Sequence, residues 1–85
     1  MINSDRLTII PSDGAVYLDT YVYLNLSLED CGIPDDVHAL QWMIDNGHIE
    51  FVNNEKPLEM ITELPAWAIK CVDEWNKAYL ANPPE

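Results

Sequence analysis

The chain has 85 residues, 48% of them hydrophobic, which is the composition of one globular domain rather than a disordered segment. Fifteen acidic residues against four basic ones give a formal net charge of −11. Proteins bind phosphate and anionic lipid through Lys and Arg, so this composition argues against direct nucleic-acid binding and against membrane attachment. The N-terminus has no apolar run typical of a signal peptide, and we expect synthesis in a reducing cytoplasm.

The first predicted element is a strand at residues 6–10, where the sequence RLTII is rich in β-branched residues. Pro11 limits this strand because proline cannot donate a hydrogen bond to a strand ladder. The next three residues, Ser-Asp-Gly, form a turn sequence. Two further strands are predicted at 15–19 and 21–26.

These two strands form a predicted hairpin with its loop at residues 19–20. That loop places Tyr17 opposite Val22 and Leu18 opposite Tyr21. Neither face of the hairpin is polar, so either both faces are buried or one exposes tyrosines. A longer loop is an alternative, because Thr resists the positive φ of a tight turn.

A capping-box pattern begins at Ser27 and has an acidic residue, Asp30, three positions later. Gly32 follows at the right distance to close one turn. The pattern predicts a single helical or 3₁₀ turn at residues 28–31, and Pro34 then holds the chain extended.

The central prediction is a hairpin of strands 37–44 and 48–52, with Asn46 and Gly47 as a type I′ turn. This turn makes Asp45 face His48. It predicts a core face formed by the pairs Ile44–Ile49 and Trp42–Phe51. It predicts an outer face formed by the pairs Met43–Glu50 and Gln41–Val52.

The last predicted elements are an additional short strand at 58–62, a helix at about 65–81 that starts with Pro65, and a tail at 82–85. At 100° per residue, one side of this helix collects an apolar stripe that includes Trp67, Cys71, Val72 and Trp75. The predicted fold class is α+β, as a single domain over 1–85. The expected architecture is a small, partly open SH3-like barrel or rolled sheet of about five antiparallel strands with one C-terminal helix.

The residue patterns favour no catalytic chemistry. His38 and His48 are predicted too far apart to share a metal, and the acidic pairs at 29–30 and 35–36 lack the calcium-loop pattern. No serine or cysteine has an adjacent base, and Cys31 has acidic neighbours. Two buried free thiols are favoured over a disulfide. We therefore expect a non-enzymatic protein with no cofactor and no metal.

A partner-binding surface is the remaining candidate site. Tyr21, Tyr23, Met43, Glu50 and Val52 occupy positions where the outer face of a strand can meet another protein. Tyr and Met are enriched at protein interfaces. The alternative is that these side chains fold under the helix or a loop. Homo-oligomerisation is a further expectation for an exposed surface of this type.

Four segments, IPSDGAVYLDT, CGIPDDVHALQW, GHIEFV and LPAWAIKCVDEWNKA, resemble small, largely uncharacterised proteins of tailed phages, notably phages of marine cyanobacteria. The resemblance extends from about Ile10 to Tyr79, and related segments lie beside or within tail-fibre and tail-assembly proteins. This sequence departs from the family's pattern at residues 19–20, where Asp-Gly is usual, and at His48, where Trp is usual.

The resemblance implies an accessory protein that is associated with the virion tail or assists tail-fibre assembly. The expected partner is a phage structural or assembly protein. The expected location is the host cytoplasm during synthesis, with later incorporation in the virion. It brings no catalytic residues. The acidic charge supports an alternative, an inhibitor of a host enzyme or of a nucleic-acid-binding protein.

Overall fold

A computed structural model describes residues 6–18 and 21–82. They form an antiparallel sheet of six strands, three short 3₁₀ turns and one C-terminal helix. The strands are β1 (Arg6–Ile10), β2 (Ala15–Leu18), β3 (Tyr21–Tyr23), β4 (Val37–Met43), β5 (Asn46–Phe51) and β6 (Glu59–Ile61), and the helix is α1 (Ala66–Ala81). The 3₁₀ turns are Pro11–Asp13, Glu29–Cys31 and Val52–Asn54. The predicted α+β class with one C-terminal helix is confirmed.

The sheet has the strand order β3-β2-β1-β4-β5-β6 and is not closed. In the described part of the chain, no ladder joins β3 to β6, so these strands form two separate edges. The architecture is one open antiparallel sheet of six strands with one helix, which agrees with the predicted partly open or rolled sheet of about five strands. The sixth strand, β6, lies within the region 58–62 where the sequence predicts an additional strand.

One face of the sheet packs against α1 and forms the core. On β1, Leu7 and Ile9 alternate with more exposed residues, and both are fully buried. Fully burying an aliphatic side chain of this size contributes about 1.5–3 kcal/mol. The helix contributes the apolar stripe that its sequence predicts, and its buried residues are Ala68, Cys71, Val72 and Trp75. We call the face of the sheet that packs against α1 the helix face.

The helix begins one residue later than predicted, because Pro65 has an extended conformation and is the N-cap. No side chain caps this end. The carbonyl oxygen of Pro65 instead accepts hydrogen bonds from the backbone N–H groups of Ala68 (3.0 Å) and Ile69 (3.3 Å). The bond from Ile69 is the first regular bond of the helix, and the bond from Ala68 satisfies a donor that the first turn would otherwise leave without a partner.

The predicted register of the central hairpin is wrong. The structure pairs Met43 with Asn46 and Trp42 with Gly47, so the turn consists of Ile44 and Asp45. The expected pairs Ile44–Ile49, Trp42–Phe51, Met43–Glu50 and Gln41–Val52 do not form, nor does Asp45 face His48; the observed partners include Leu40–Ile49, Gln41–His48 and Ala39–Glu50. The shift is an even number of residues, so Trp42 keeps the predicted core face.

Close packing at Gly47 explains this register. A Cβ atom at Gly47 would overlap the carbonyl oxygen of Gln41 and lie 2.9 Å from Cα of Trp42. Glycine therefore permits close strand approach inside the ladder, whereas the sequence pattern assigned it to the turn. The turn position with positive φ goes to Ile44 (φ +60°), which is unusual for a β-branched residue.

The first hairpin has the predicted register, with Leu18 opposite Tyr21 and Tyr17 opposite Val22. Its predicted loop at residues 19–20 lies outside the described residues. Strand β3 ends at Tyr23 and not at residue 26. The chain leaves the ladder because the next residues bond elsewhere: the N–H of Leu26 donates to the oxygen of Gly14 (2.9 Å) and that of Asn25 to the oxygen of Asp13 (3.2 Å).

A 3₁₀ turn at Glu29–Cys31 occupies the place predicted for a single turn at 28–31, and Gly32 closes it with φ +85°. The predicted capping box does not form. Leu28 is the N-cap residue and no side chain caps the turn. Leu28 is buried in the core, so apolar packing anchors this turn where the sequence predicts a serine cap.

Candidate functional site

The sheet face opposite α1 is the most extensive candidate surface, and we call it the open face. The strand pairings place one residue from each strand in a continuous row across it: Val22, Tyr17, Thr8, Gln41, His48 and Met60. Met43 lies beside this row, opposite Arg6 on β1. No helix in residues 6–18 and 21–82 covers this face, because α1 packs against the opposite one.

Polar groups at the centre of the open face satisfy one another. The hydroxyl of Thr8 donates to Oε1 of Gln41 (2.8 Å), which links β1 to β4. Nε2 of His48 lies 3.0 Å from Oε2 of Glu50, and both side chains are about one-third exposed. These pairs fix the side chains in position and present no group arranged as a nucleophile with a base.

A shallow depression of about 260 Å³ crosses the middle of this face. That volume is below the roughly 300–1,000 Å³ of small-molecule pockets. Its lining combines polar and apolar groups, among them Arg6, Thr8, Gln41, Met43, Asn46 and His48. The surface is therefore suited to contact with another macromolecule more than to enclosure of a small ligand.

The open face carries little charge for a chain with a net charge of −11. Arg6 and Glu50 are its only fully charged side chains among the described strand residues. The other described acidic residues lie in turns, loops, α1 and the edge strand β6. Protein interfaces have this pattern, with charge depleted at the centre and Met, Tyr and Arg enriched.

The five predicted surface residues do not form one surface. Met43 and Glu50 lie on the open face, while Tyr21 and Tyr23 lie on the helix face at edge strand β3. Val52 begins the 3₁₀ turn after β5, and its N–H donates to the oxygen of Asp36 (2.9 Å).

Sequence reasoning missed two exposed residues of the open face. Tyr17 is 41% exposed and Met60 is 71% exposed. The predicted first hairpin places Tyr17 on a strand opposite Val22, and the additional strand predicted at 58–62 contains Met60. Neither pattern shows that the two residues share a face with Met43, because a shared face depends on the order of the strands in the sheet.

Tyr21 and Tyr23 instead belong to an aromatic cluster that packs the C-terminal end of α1 against β3. The ring of Tyr23 meets that of Trp75 edge-on (centroids 5.6 Å apart), and Trp75 stacks on Tyr79 (5.1 Å). Nε1 of Trp75 donates to the oxygen of Tyr21 (3.2 Å), and the Tyr23 hydroxyl donates to the oxygen of Asn82 (2.6 Å). Desolvation, then the nearby Tyr21 and Tyr79 side chains, raise the pKa of Tyr23.

A second concavity, which we call the β6 groove, lies on the helix face between β6 and the start of α1. Its volume is about 470 Å³, and its walls include Ile49, Phe51, Ile61, Leu64, Pro65 and Trp67. Lys56, Asp36, Glu59 and Glu63 also line it. The groove thus combines an apolar and aromatic floor with charged groups.

Only part of this charge is internally paired. Nζ of Lys56 forms an ion pair with Asp36 and lies 4.4 Å from the centre of the Phe51 ring. The hydrogen bond from Lys56 lowers the pKa of Asp36. Within the described residues, Glu59 and Glu63 have no cationic group within 4.0 Å.

The two cysteines are buried free thiols. Burial, followed by the neighbouring Cys31 thiol, raises the pKa of the Cys71 thiol to about 12. A nucleophilic cysteine needs the opposite shift, because the thiolate is the reactive form. Cys71 is therefore a core residue in this fold.

Over the described residues, no group of three or more His, Cys, Asp and Glu side chains can hold a metal ion. No helix there is long and apolar enough to cross a membrane. His38 is exposed on β4 next to an irregularity in its ladder with β5, away from the Gln41–His48 pair.

Comparisons of the chain with protein-family models, curated proteins and solved structures find no match. The resemblance to tailed-phage proteins therefore stays a prediction, together with the partner, location and non-enzymatic role that it implies.

Proposed function

We propose that the protein is a non-enzymatic phage accessory protein that acts through protein–protein contacts, in the virion tail or during tail-fibre assembly. The observation that carries the contact role is the open face, where Tyr17, Met43 and Met60 project from a sheet surface with little charge. The phage and tail assignment rests on the sequence resemblance.

The chemistry of the open face supports a protein partner over other ligand classes. Nucleic acid requires several Lys or Arg side chains, and the described part of this face carries only Arg6. The depression is small and open, so a small molecule would stay largely in water. A partner protein can bury the exposed Tyr and Met side chains together.

Two measurements test this proposal. Mass spectrometry of purified virions should detect the protein, and a tagged copy should co-purify a tail component from infected lysate. Absence from particles, together with no co-purifying tail component, would overturn the phage assignment.

A matched pair of variants tests the surface. Met43 on the open face and Ile69 on α1 are each 47% exposed, so Met43→Lys and Ile69→Lys make the same chemical change. We expect Met43→Lys to reduce recovery of the partner at least about 10-fold, because burying an unpaired charge is costly, and Ile69→Lys to leave it unchanged. Equal recovery with both variants would contradict a role for the open face.

The net charge of −11 supports a second candidate, an acidic inhibitor of a host enzyme or of a nucleic-acid-binding protein. Binding would then use the acidic turns and loops, and a basic partner would be held by long-range attraction. Recovery of that partner should fall steeply between low and high salt. Salt-insensitive recovery would argue against it.

A further inference from the structure

The free edge of β6 lies directly beside the β6 groove. In the described sheet, β6 pairs only with β5, so one side of its backbone has no strand partner. An unpaired strand edge is a template for an added strand. An extended peptide that bound there would hydrogen-bond to the β6 backbone and place alternate side chains over the groove.

The groove offers distinct contacts for those alternate side chains. Glu59 and Ile61 are two residues apart on β6 and both line the groove, while Met60 between them points to the open face. Trp67 lies at the start of α1 and forms part of the same lining. A basic side chain next to Glu59 and an apolar one next to Ile61 and Trp67 would match this surface.

Charge argues against a second copy of the chain as the occupant. Two copies paired along β6 would bring Glu59 and Glu63 of each chain together, and each copy carries a net charge of −11. Like charges across an interface cost free energy, whereas a basic segment would pair with these two carboxylates, which have no cationic partner among the described residues.

We propose that the β6 edge and its groove bind an extended partner segment by addition of a seventh strand to the sheet. On the side of that segment that faces the groove, basic and apolar residues alternate. This site is separate from the open face, and the inference does not depend on the phage assignment. It assigns the protein a peptide-recognition surface whose specificity comes from Glu59, Glu63 and the Trp67 wall.

The probe is a capped synthetic heptapeptide, Thr-Lys-Thr-Ile-Thr-Lys-Thr, in which alternate residues place Lys, Ile and Lys on one face. Its counterpart has Glu in place of both Lys. Binding is followed by titration and by NMR of the full chain. We expect the Lys peptide to shift the backbone amides of Met60 and Ile61 and the indole signal of Trp67, and the Glu peptide to cause no shift.

Two charge-matched variants separate a local site from general attraction to an acidic protein. E59K/E63K should weaken binding of the Lys peptide about 10-fold or more and should permit binding of the Glu peptide. E29K/D30K changes the net charge equally, at two exposed residues outside the groove, and should weaken binding less than about 3-fold.

The proposal is overturned by any of four results. These are no binding of the Lys peptide up to about 1 mM, equal weakening by both variants, shifts confined to the open face around Tyr17 and Met43, or a dimer of the protein alone that E59K/E63K alters. The last result would make a second copy the occupant. None of these results bears on whether the protein is found in virions.

Discussion

The two faces of the sheet differ in what their residues contact. On the helix face, side chains such as Leu7 and Leu40 are fully buried against α1. On the open face, residues of the same strands, such as Thr8 and Gln41, bond to each other and remain partly exposed. A strand with period two therefore divides its residues between a buried core on one face and an exposed surface on the other.

The sharpest test of this division compares two residues of β4. Leu40→Ala should lower the free energy of unfolding by about 2–5 kcal/mol, because it leaves a cavity in the sealed core. Met43→Ala, on the open face, should change it by less than about 0.5 kcal/mol. Urea unfolding followed by tryptophan fluorescence measures both. Similar losses of stability for the two variants would mean that side chains on the open face also stabilise the fold.

Gly47 tests whether the register of the central hairpin depends on close packing next to Trp42. Gly47→Ala should destabilise the protein by about 1–3 kcal/mol, because the new methyl group overlaps the backbone of Gln41. Gly32→Ala is the control, since a Cβ there meets nothing within 4 Å, although its positive φ still imposes strain. Thermal unfolding measures the difference. A smaller loss at Gly47 than at Gly32 would contradict the packing explanation.

We expect the free energy of unfolding to depend on pH, because the Cys71 thiol is buried between α1 and the helix face. The pKa of Cys71 is about 12 in the folded protein and near 9.0 when unfolded, so the folded state retains the proton over this interval. Stability contributed by the neutral thiol is complete below about pH 9 and is lost as the pH rises towards 12. Urea unfolding at increasing pH checks this.

Cys71→Ala is the control for that titration, because tyrosines and lysines ionise over the same range. The difference in stability between the parent protein and the variant should shrink as the pH rises. A constant difference would show that the Cys71 thiol ionises equally in the folded and unfolded states.

The smallest expected effect is a gain in stability. Ile44 has φ +60° and is 68% exposed in the turn that joins β4 to β5. Ile44→Gly should raise the free energy of unfolding by about 1 kcal/mol, because glycine adopts this conformation without strain. Asp45→Gly is a suitable control with no such gain. A loss of stability in Ile44→Gly would show that its side chain makes a contact worth more than the strain.

Local patterns predicted what depends on local chemistry. The spacing of Trp67, Cys71 and Trp75 is enough to give α1 and its buried side, and alternation about Tyr17 gives the first hairpin register. The Asn46–Gly47 pattern failed because turn preference competes with packing across a ladder. Nothing in the sequence near Gly47 reports that the Gln41 backbone approaches it so closely.

The candidate surfaces were predictable only in part, for the same reason. The alternation on single strands places Met43 and Glu50 on an outer face, but bringing Tyr17 and Met60 to that face requires the order of all six strands. Likewise, Tyr23 has the composition of an interface residue, and its contact with Trp75 is set by a helix more than fifty positions later.

The ladder between β1 and β4 has a consequence for how the chain assembles. β1, β2 and β3 form one three-strand meander and β4, β5 and β6 a second, and this ladder alone joins them within the described sheet. Its Thr8–Gln41 bond links residues 33 positions apart, so this ladder has a higher loop-closure cost than the short hairpins on either side and should form after them. A partner that covers the open face spans this ladder, and its binding energy would hold the two meanders together.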